Sequence, residues 1–195
     1  MLAVWVIWSR QSEKWHRGAS SALSFPFTLQ DMLEVIDNFL SEPEFNAVVT
    51  YCGKASYFHG EVDRPGAKPT GMTRHIDDNS AIFKLFEHKT MPLMIEKYPK
   101  AYIYRMYVNC FAPSEQPNFH TDTDDGSDAV TMLYYPNKRW KLEQGGETQF
   151  YMNGEIRGIL PKPNRLVYFD AKILHRATAF RNRHRFSVAV KYSLE

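Results

Sequence analysis

Two short runs in this 195-residue chain carry the side chains able to do chemistry. The first, His120-Thr121-Asp122-Thr123-Asp124-Asp125-Gly126, crowds a histidine and three carboxylates together, and the second, "AKILHRATAF", sets His175 in otherwise mostly apolar surroundings. His120 and Asp122 stand at i and i+2, and in an extended strand that spacing turns both side chains to one face. Two imidazoles and one carboxylate on a shared face suit Fe(II) and leave coordination positions open, the facial-triad arrangement of non-heme iron oxygenases. A bare His-x-Asp pair is not specific, since His75 and Asp77 form another, and the acidic run also reads as a solvated turn. Ten positions beyond His175, Arg185 and Ser187 share a face at the start of "RFSVAVKY". A buried arginine with a hydroxyl beside it makes a bidentate clamp for a carboxylate.

The elements that must position these groups lie in the second half of the chain. "YIYRMYVNCF", "AVTMLYY", "ETQFY", "RLVYFD" and "FSVAVKY" are short β-branched or aromatic runs divided by turn residues such as Gly145-Gly146 and Asn153-Gly154, and they predict strands. The stripe Tyr102, Tyr104, Met106 and Val108 reads as core, ahead of a substrate groove or a stacking platform for bases, and "RNRHR" at 181–185 as a hairpin turn with one arginine committed to co-substrate. In the first half, Ser41 with Glu44 forms a capping box around Pro43, and Phe45, Val48, Val49 and Cys52 recur at helical spacing. "LEVIDNFL" fits strand or helix. Residues 54–78, rich in Gly, Pro and charge, predict a long loop that contains His75 and Asp77. "SAIFKLFEHK" and, after Pro92, "LMIEKY" predict helical stretches. Helices followed by a succession of strands predict an α+β fold whose antiparallel sandwich or barrel carries the site.

Composition limits the functions available. A chain with 44% hydrophobic and 14% aromatic residues can bury one substantial core, so we expect one domain over 28–195, its catalytic core at about 100–192, with 1–27 as an extension or edge element. A formal charge of +2 gives no electrostatic mandate for nucleic acid or an anionic membrane. With Cys52 and Cys110 alone there is neither a disulfide framework nor a cysteine-rich zinc site, and a reducing, cytoplasmic setting is expected. The leading "MLAVWVIW" is too short to span a bilayer and lacks a basic flank before it.

His120-x-Asp122, the later His175 and Arg185-x-Ser187 together resemble the 2-oxoglutarate and Fe(II)-dependent dioxygenases. "VTMLYYPNKRW", "GGETQFY", "ILPKPNRLVYFD", "LHRATAF" and "RFSVAVKY" follow the order of the prolyl 4-hydroxylase catalytic domain, including the oxygen-sensing type, and "VIDNFLSEPEF" is similar to its entry. The resemblance implies a double-stranded β-helix, or jelly roll, with supporting N-terminal helices. It implies His120, Asp122 and His175 as iron ligands, Arg185 and Tyr135 on the distal carboxylate of 2-oxoglutarate, and Ser187 and Thr131 as lesser contacts. Two positions depart: Phe111 stands where those hydroxylases place a tyrosine, and Lys191 where they place a tryptophan.

The implied cofactors are Fe(II), 2-oxoglutarate and O2, with ascorbate as reductant, and the implied reaction couples decarboxylation of 2-oxoglutarate to hydroxylation of a prolyl residue in a peptide or protein. Such a peptide would dock across the 54–78 loop and the acidic turn at 123–128, which would favour basic neighbours for the proline. The alternatives are the same chemistry on a free amino acid, another small molecule or alkylated nucleic acid, and a non-catalytic jelly-roll protein that binds or senses metal. The chain lacks the second C-terminal arginine pattern of nucleic-acid demethylases, and the complete set of three ligands plus Arg185 opposes the non-catalytic reading.

Overall fold

The computed structural model describes residues 32–194 apart from 60, 61, 63–65, 67, 68, 124 and 125, so the expected extension at 1–27 lies outside the described residues. The first half runs β1 (Leu33–Ile36), α1 (Glu42–Lys54), β2 (Phe58–His59), β3 (Met72–His75) and α2 (Ala81–Ile95). The second half is β4 (Tyr102–Phe111), β5 (Ala129–Tyr135), β6 (Thr148–Met152), β7 (Glu155–Ile159), β8 (Arg165–Asp170), β9 (Leu174–Ala177) and β10 (Arg185–Ser193). Antiparallel pairing builds a seven-stranded sheet in the order β1-β8-β5-β10-β4-β3-β2 and a three-stranded sheet β7-β6-β9. Among the described residues this is an α+β jelly roll with two α-helices, in line with the expected fold class.

Period-two alternation divides each central strand between two apolar layers. On the outer face of the large sheet, Val130, Met132 and Tyr134 of β5 and Val188, Val190 and Tyr192 of β10 pack with Val48, Cys52, Phe86 and Met94 of the helices. On the inner face, Leu133, Tyr135, Val167, Phe169 and Ala189 pack with Phe150 and Ile159 of the small sheet. Every residue of β5 is buried because both of its faces are covered. Against that background the inward polar side chains Thr131, Arg185, Ser187 and Lys191 stand out, all of them buried.

The helices begin where the caps predict. Glu44 Oε2 accepts from the Ser41 backbone N–H at 2.9 Å and from its hydroxyl at 2.7 Å, and Ser80 Oγ accepts from Phe83 N–H at 3.1 Å. α2 continues through Pro92 as one helix, so the two expected stretches are joined. Near its end Thr90 donates to Phe86 O at 2.6 Å and meets the Tyr192 hydroxyl at 2.7 Å, tying the helix to β10.

One open choice is resolved and two expectations are corrected. "LEVIDNFL" opens as a strand, with Leu33–Ile36 paired to β8. The 54–78 segment is not all loop: Met72–His75 pairs with β4 from Cys110 to Tyr107, at a polar sheet margin where alternation in the sequence is weak. Tyr102 and Tyr104 are 53% and 48% exposed rather than core, while Met106 and Val108 are fully buried. A β-bulge accounts for the difference, since Lys191 pairs with Arg105 and Tyr192 with Ile103, leaving Tyr104 without a partner on β10.

Candidate active site

His175 comes from β9 and points inward, 5% exposed, with the Phe169 ring edge-on at 4.6 Å and the Phe150 ring stacked at 6.0 Å. His120 is not on a regular strand, as its spacing to Asp122 predicts, but forms a single bridge to His175 through reciprocal backbone hydrogen bonds of 3.0 and 2.9 Å. Asp122 lies in a bend, anchored by its N–H to Ala171 O at 2.8 Å. The two side chains nevertheless converge. His120 Nε2 is 3.7 Å from Asp122 Oδ1, His175 Nε2 is 3.4 Å from Asp122 Oδ2, and all three ligand atoms lie within 4.8 Å of one another.

The donor set fits a divalent ion. Ligands cis to one another on an octahedral ion with bonds of about 2.1 Å sit about 3 Å apart, somewhat less than the 3.4 and 3.7 Å separations found. His120 Nδ1 contacts Asn118 O at 3.0 Å and His175 Nδ1 contacts Ile173 O at 2.9 Å. A carbonyl oxygen only accepts, so each neutral ring carries its proton on Nδ1 and presents the Nε2 lone pair to the shared centre. Burial alone would raise the Asp122 carboxyl, but the Lys191 ammonium and then His175 and His120 outweigh it and hold it well below the usual carboxylate range. Among the described residues this is the one group of three or more His, Cys, Asp or Glu placed to share an ion. His75 lies exposed on β3, and Asp77 Oδ1 accepts from Asn79 N–H at 2.8 Å in the turn before α2.

Arg185 starts β10 and is 2% exposed. Its Nε donates to Gly146 O at 3.0 Å and one Nη to Thr148 Oγ1 at 2.8 Å, while Tyr135 OH meets the same Thr148 oxygen at 2.7 Å. Burial lowers the Arg185 guanidinium from its ordinary value and raises the Tyr135 phenol, so Tyr135 stands as a neutral hydroxyl. Gly146 makes the arrangement possible: its φ of +77° and the Trp140 and Phe180 side chains, 3.0 and 3.1 Å from any added Cβ, leave room for glycine alone. A narrow cleft reaches from His120, Asp122 and His175 past Ser187 to Thr148 and Arg185. Adjoining the cleft, and sharing His120, Asp122 and Lys191 with it, a cavity of about 280 Å³ is lined by Tyr104, Arg105, Tyr107 and Asn109 of β4, with Val62 and Thr70 from the 54–78 segment.

One expected co-substrate contact, Thr131, is engaged elsewhere. Thr131 donates to Asp122 Oδ2 at 2.7 Å, so it serves the ligand carboxylate and stands apart from Arg185. Lys191, 4% exposed, places Nζ against the same Oδ2 and donates to Thr131 Oγ1 at 3.1 Å. Asp128 is engaged with Lys172 at 2.7 Å, and Asp124 and Asp125 lie outside the described residues. Phe111 packs its ring within 2.7 Å of where a Cβ on Gly71 would sit, closing the cavity wall without a hydroxyl. Unforeseen were the roles of Thr148 and of the Gly146 carbonyl in holding Arg185; the one signal for Thr148 was its inward phase with Phe150.

Comparison with known proteins agrees with this geometry. No curated protein matches the sequence. A Pseudomonas putida prolyl-4-hydroxylase structure superposes with a TM-score of 0.69 at 18% identity, covering 84% of this chain and 92% of that one. A Trichoplax adhaerens prolyl hydroxylase in complex with a hypoxia inducible factor oxygen degradation domain peptide fragment gives 0.71 at 18% identity, covering 83% of each chain. HygX from Streptomyces hygroscopicus, with nickel, 2-oxoglutarate and hygromycin B bound, gives 0.66 at 10% identity over 83% of this chain and 82% of that one. The profile of the 2OG-Fe(II) oxygenase superfamily matches residues 104–192, the span from β4 to β10 that supplies His120, Asp122, His175 and Arg185.

Proposed function

We propose that this oxidoreductase hydroxylates prolyl residues in a peptide or protein, using Fe(II), 2-oxoglutarate and O2. The observation that carries the reading is that the cluster of His120, Asp122 and His175 borders both a cleft that ends on a buried arginine and an adjoining larger cavity that could admit a substrate. His120, Asp122 and His175 would hold the iron, which when bound supplies oxygen activation coupled to decarboxylation of the co-substrate. The chain's own part is positional. Arg185 fixes the distal carboxylate of 2-oxoglutarate, and Thr148 and Tyr135 hold the guanidinium in place. Ser187 lines the cleft between them. Phe150 and Phe169 shut water from the core side of His175. The prolyl assignment draws on the order of the strand motifs and on the prolyl hydroxylases among the similar folds. HygX, with hygromycin B in a similar fold, makes a small-molecule substrate the second reading. A panel of proline-containing peptides with Fe(II) and 2-oxoglutarate tests the choice: a gain of one oxygen by mass on proline supports it. Succinate formation stimulated by small molecules, with no peptide modified, moves the assignment to the second reading.

A further inference from the structure

We propose that Lys191 and Thr131 clamp one oxygen of Asp122, which makes that carboxylate a one-oxygen ligand and keeps a coordination position on the ion open. The inference rests on the oxygenase reading above and concerns two residues that reading leaves without a task. By position alone the carboxylate would offer both oxygens, since Oδ1 faces His120 Nε2 at 3.7 Å and Oδ2 faces His175 Nε2 at 3.4 Å. Oδ2, however, is already engaged. Thr131 Oγ1 donates to it at 2.7 Å, and the Lys191 ammonium lies against it. A carboxylate oxygen carries two lone pairs, so two donors fill Oδ2 and leave nothing on it for a cation. The ammonium also repels a second positive charge from the same atom.

Strand register builds the clamp. Lys191 of β10 and Thr131 of β5 are direct cross-strand partners, and both are buried. Lys191 Nζ donates to Thr131 Oγ1 at 3.1 Å, so Nζ, Oγ1 and Asp122 Oδ2 close a triangle whose members each touch the other two. β5 and β10 are interior strands of the large sheet, paired on both edges, so neither donor can shift without breaking a ladder. Asp122 is fixed from its own backbone, through its N–H to Ala171 O at 2.8 Å. The consequence is a matter of counting. A six-coordinate ion held by two imidazoles and one carboxylate oxygen keeps about three positions, enough for a two-atom hold on 2-oxoglutarate and one place for O2. A carboxylate bound through both oxygens would leave about two, and the co-substrate would take them both. Lys191 is thus a positioning residue that acts through Asp122.

The test counts exchangeable waters on Mn(II) bound to the full chain, by electron–nuclear double resonance in oxygen-labelled water at neutral pH without co-substrate. Wild type should hold about three, and Lys191→Met and Thr131→Val should each hold about two, because the freed Oδ2 turns to the ion. Lys191→Arg keeps a charged donor and should return the count to about three. A merely structural role for the pair would lower the melting temperature of the variants and leave the count unmoved. A drop of one water in either variant supports the clamp; the wild-type number retained in both variants, or the lower number already present in wild type, overturns it. Thr131→Val alone carries the test if Lys191→Met does not fold or does not hold Mn(II). Adding N-oxalylglycine, an inert 2-oxoglutarate analogue, tests the oxygenase reading separately: it should leave about one water in wild type and none in Lys191→Met. If it displaces no water from wild type, the oxygenase reading fails, while a lower count in the variants before its addition still supports the clamp.

Discussion

Replacing Arg185 with alanine should cripple co-substrate binding while leaving metal binding intact. The guanidinium is 2% exposed and already donates to Gly146 O and Thr148 Oγ1, so its plane is fixed before any ligand arrives. Removing one partner of a desolvated charge pair costs about 2–5 kcal/mol, which is about thirtyfold to a few thousandfold in affinity for 2-oxoglutarate. Tyr135 stands one step behind, bonded to Thr148 at 2.7 Å, and Tyr135→Phe removes a neutral hydrogen bond worth about 1 kcal/mol, or roughly fivefold. Arg185→Lys keeps the charge but not the planar fork and should fall between the two. The assay is a calorimetric titration of 2-oxoglutarate into Mn(II)-loaded protein, with Mn(II) affinity measured alongside to confirm that the ligand cluster is undisturbed. Unchanged affinity in Arg185→Ala, or a larger loss in Tyr135→Phe than in Arg185→Ala, would refute the assignment of the carboxylate anchor.

His175→Ala should abolish stoichiometric Mn(II) binding with little change in the circular dichroism spectrum, and metal retained at His75 and Asp77 would contradict the site. Gly146→Ala forces a side chain into the left-handed region and against Trp140 and Phe180, at about 1–3 kcal/mol; a melting temperature equal to wild type would show that the turn relaxes freely. Asp37 pairs with Arg165 at 2.7 Å and Lys162 at 2.8 Å, and the hydrogen bonds from Arg165 and then Lys162 lower its carboxyl to about 2. A depressed carboxyl stabilises above its unfolded value and loses that contribution as pH falls from about 4 through about 2. Because the pair is exposed and screened, Asp37→Asn should cost no more than about 1 kcal/mol at neutral pH, and urea melts of variant and wild type should converge near pH 2.

The parts of the fold that local pattern dictates were legible in the sequence. Strands buried on both faces, such as β5, are apolar runs broken only by a residue such as Thr131, and the α1 start is written in Ser41, Pro43 and Glu44. Arg185 and Ser187 fall in phase because β10 is regular across them. What stayed hidden depends on pairing between distant segments. His120 and Asp122 converge on His175 through one backbone bridge and a bend rather than through strand alternation, so the residues that cluster were picked out by a geometry the chain does not use. β3 hides because its residues are polar and its partner, β4, lies thirty-odd positions on. The Lys191 contact with Asp122 hides for a related reason, since a lysine six residues beyond Arg185 looks like surface until the inward phase of β10 is known.

The bulge at Tyr104 separates two jobs that a regular strand would join. On one side of it Arg105, Tyr107 and Asn109 line the cavity; on the other Ile103 packs into the helix-side core, and Tyr104 is the surplus residue between them. Remove Tyr104 and Ile103 would follow Arg105 directly, each already on its proper face, with the ladder to Tyr192 and Lys191 uninterrupted. Chain length at this one point is therefore a dial for the cavity rim. Deleting the residue takes away an aromatic wall without disturbing the phase of either face, whereas a deletion elsewhere in β4 would shift the Arg105 and Lys191 pairing out of step.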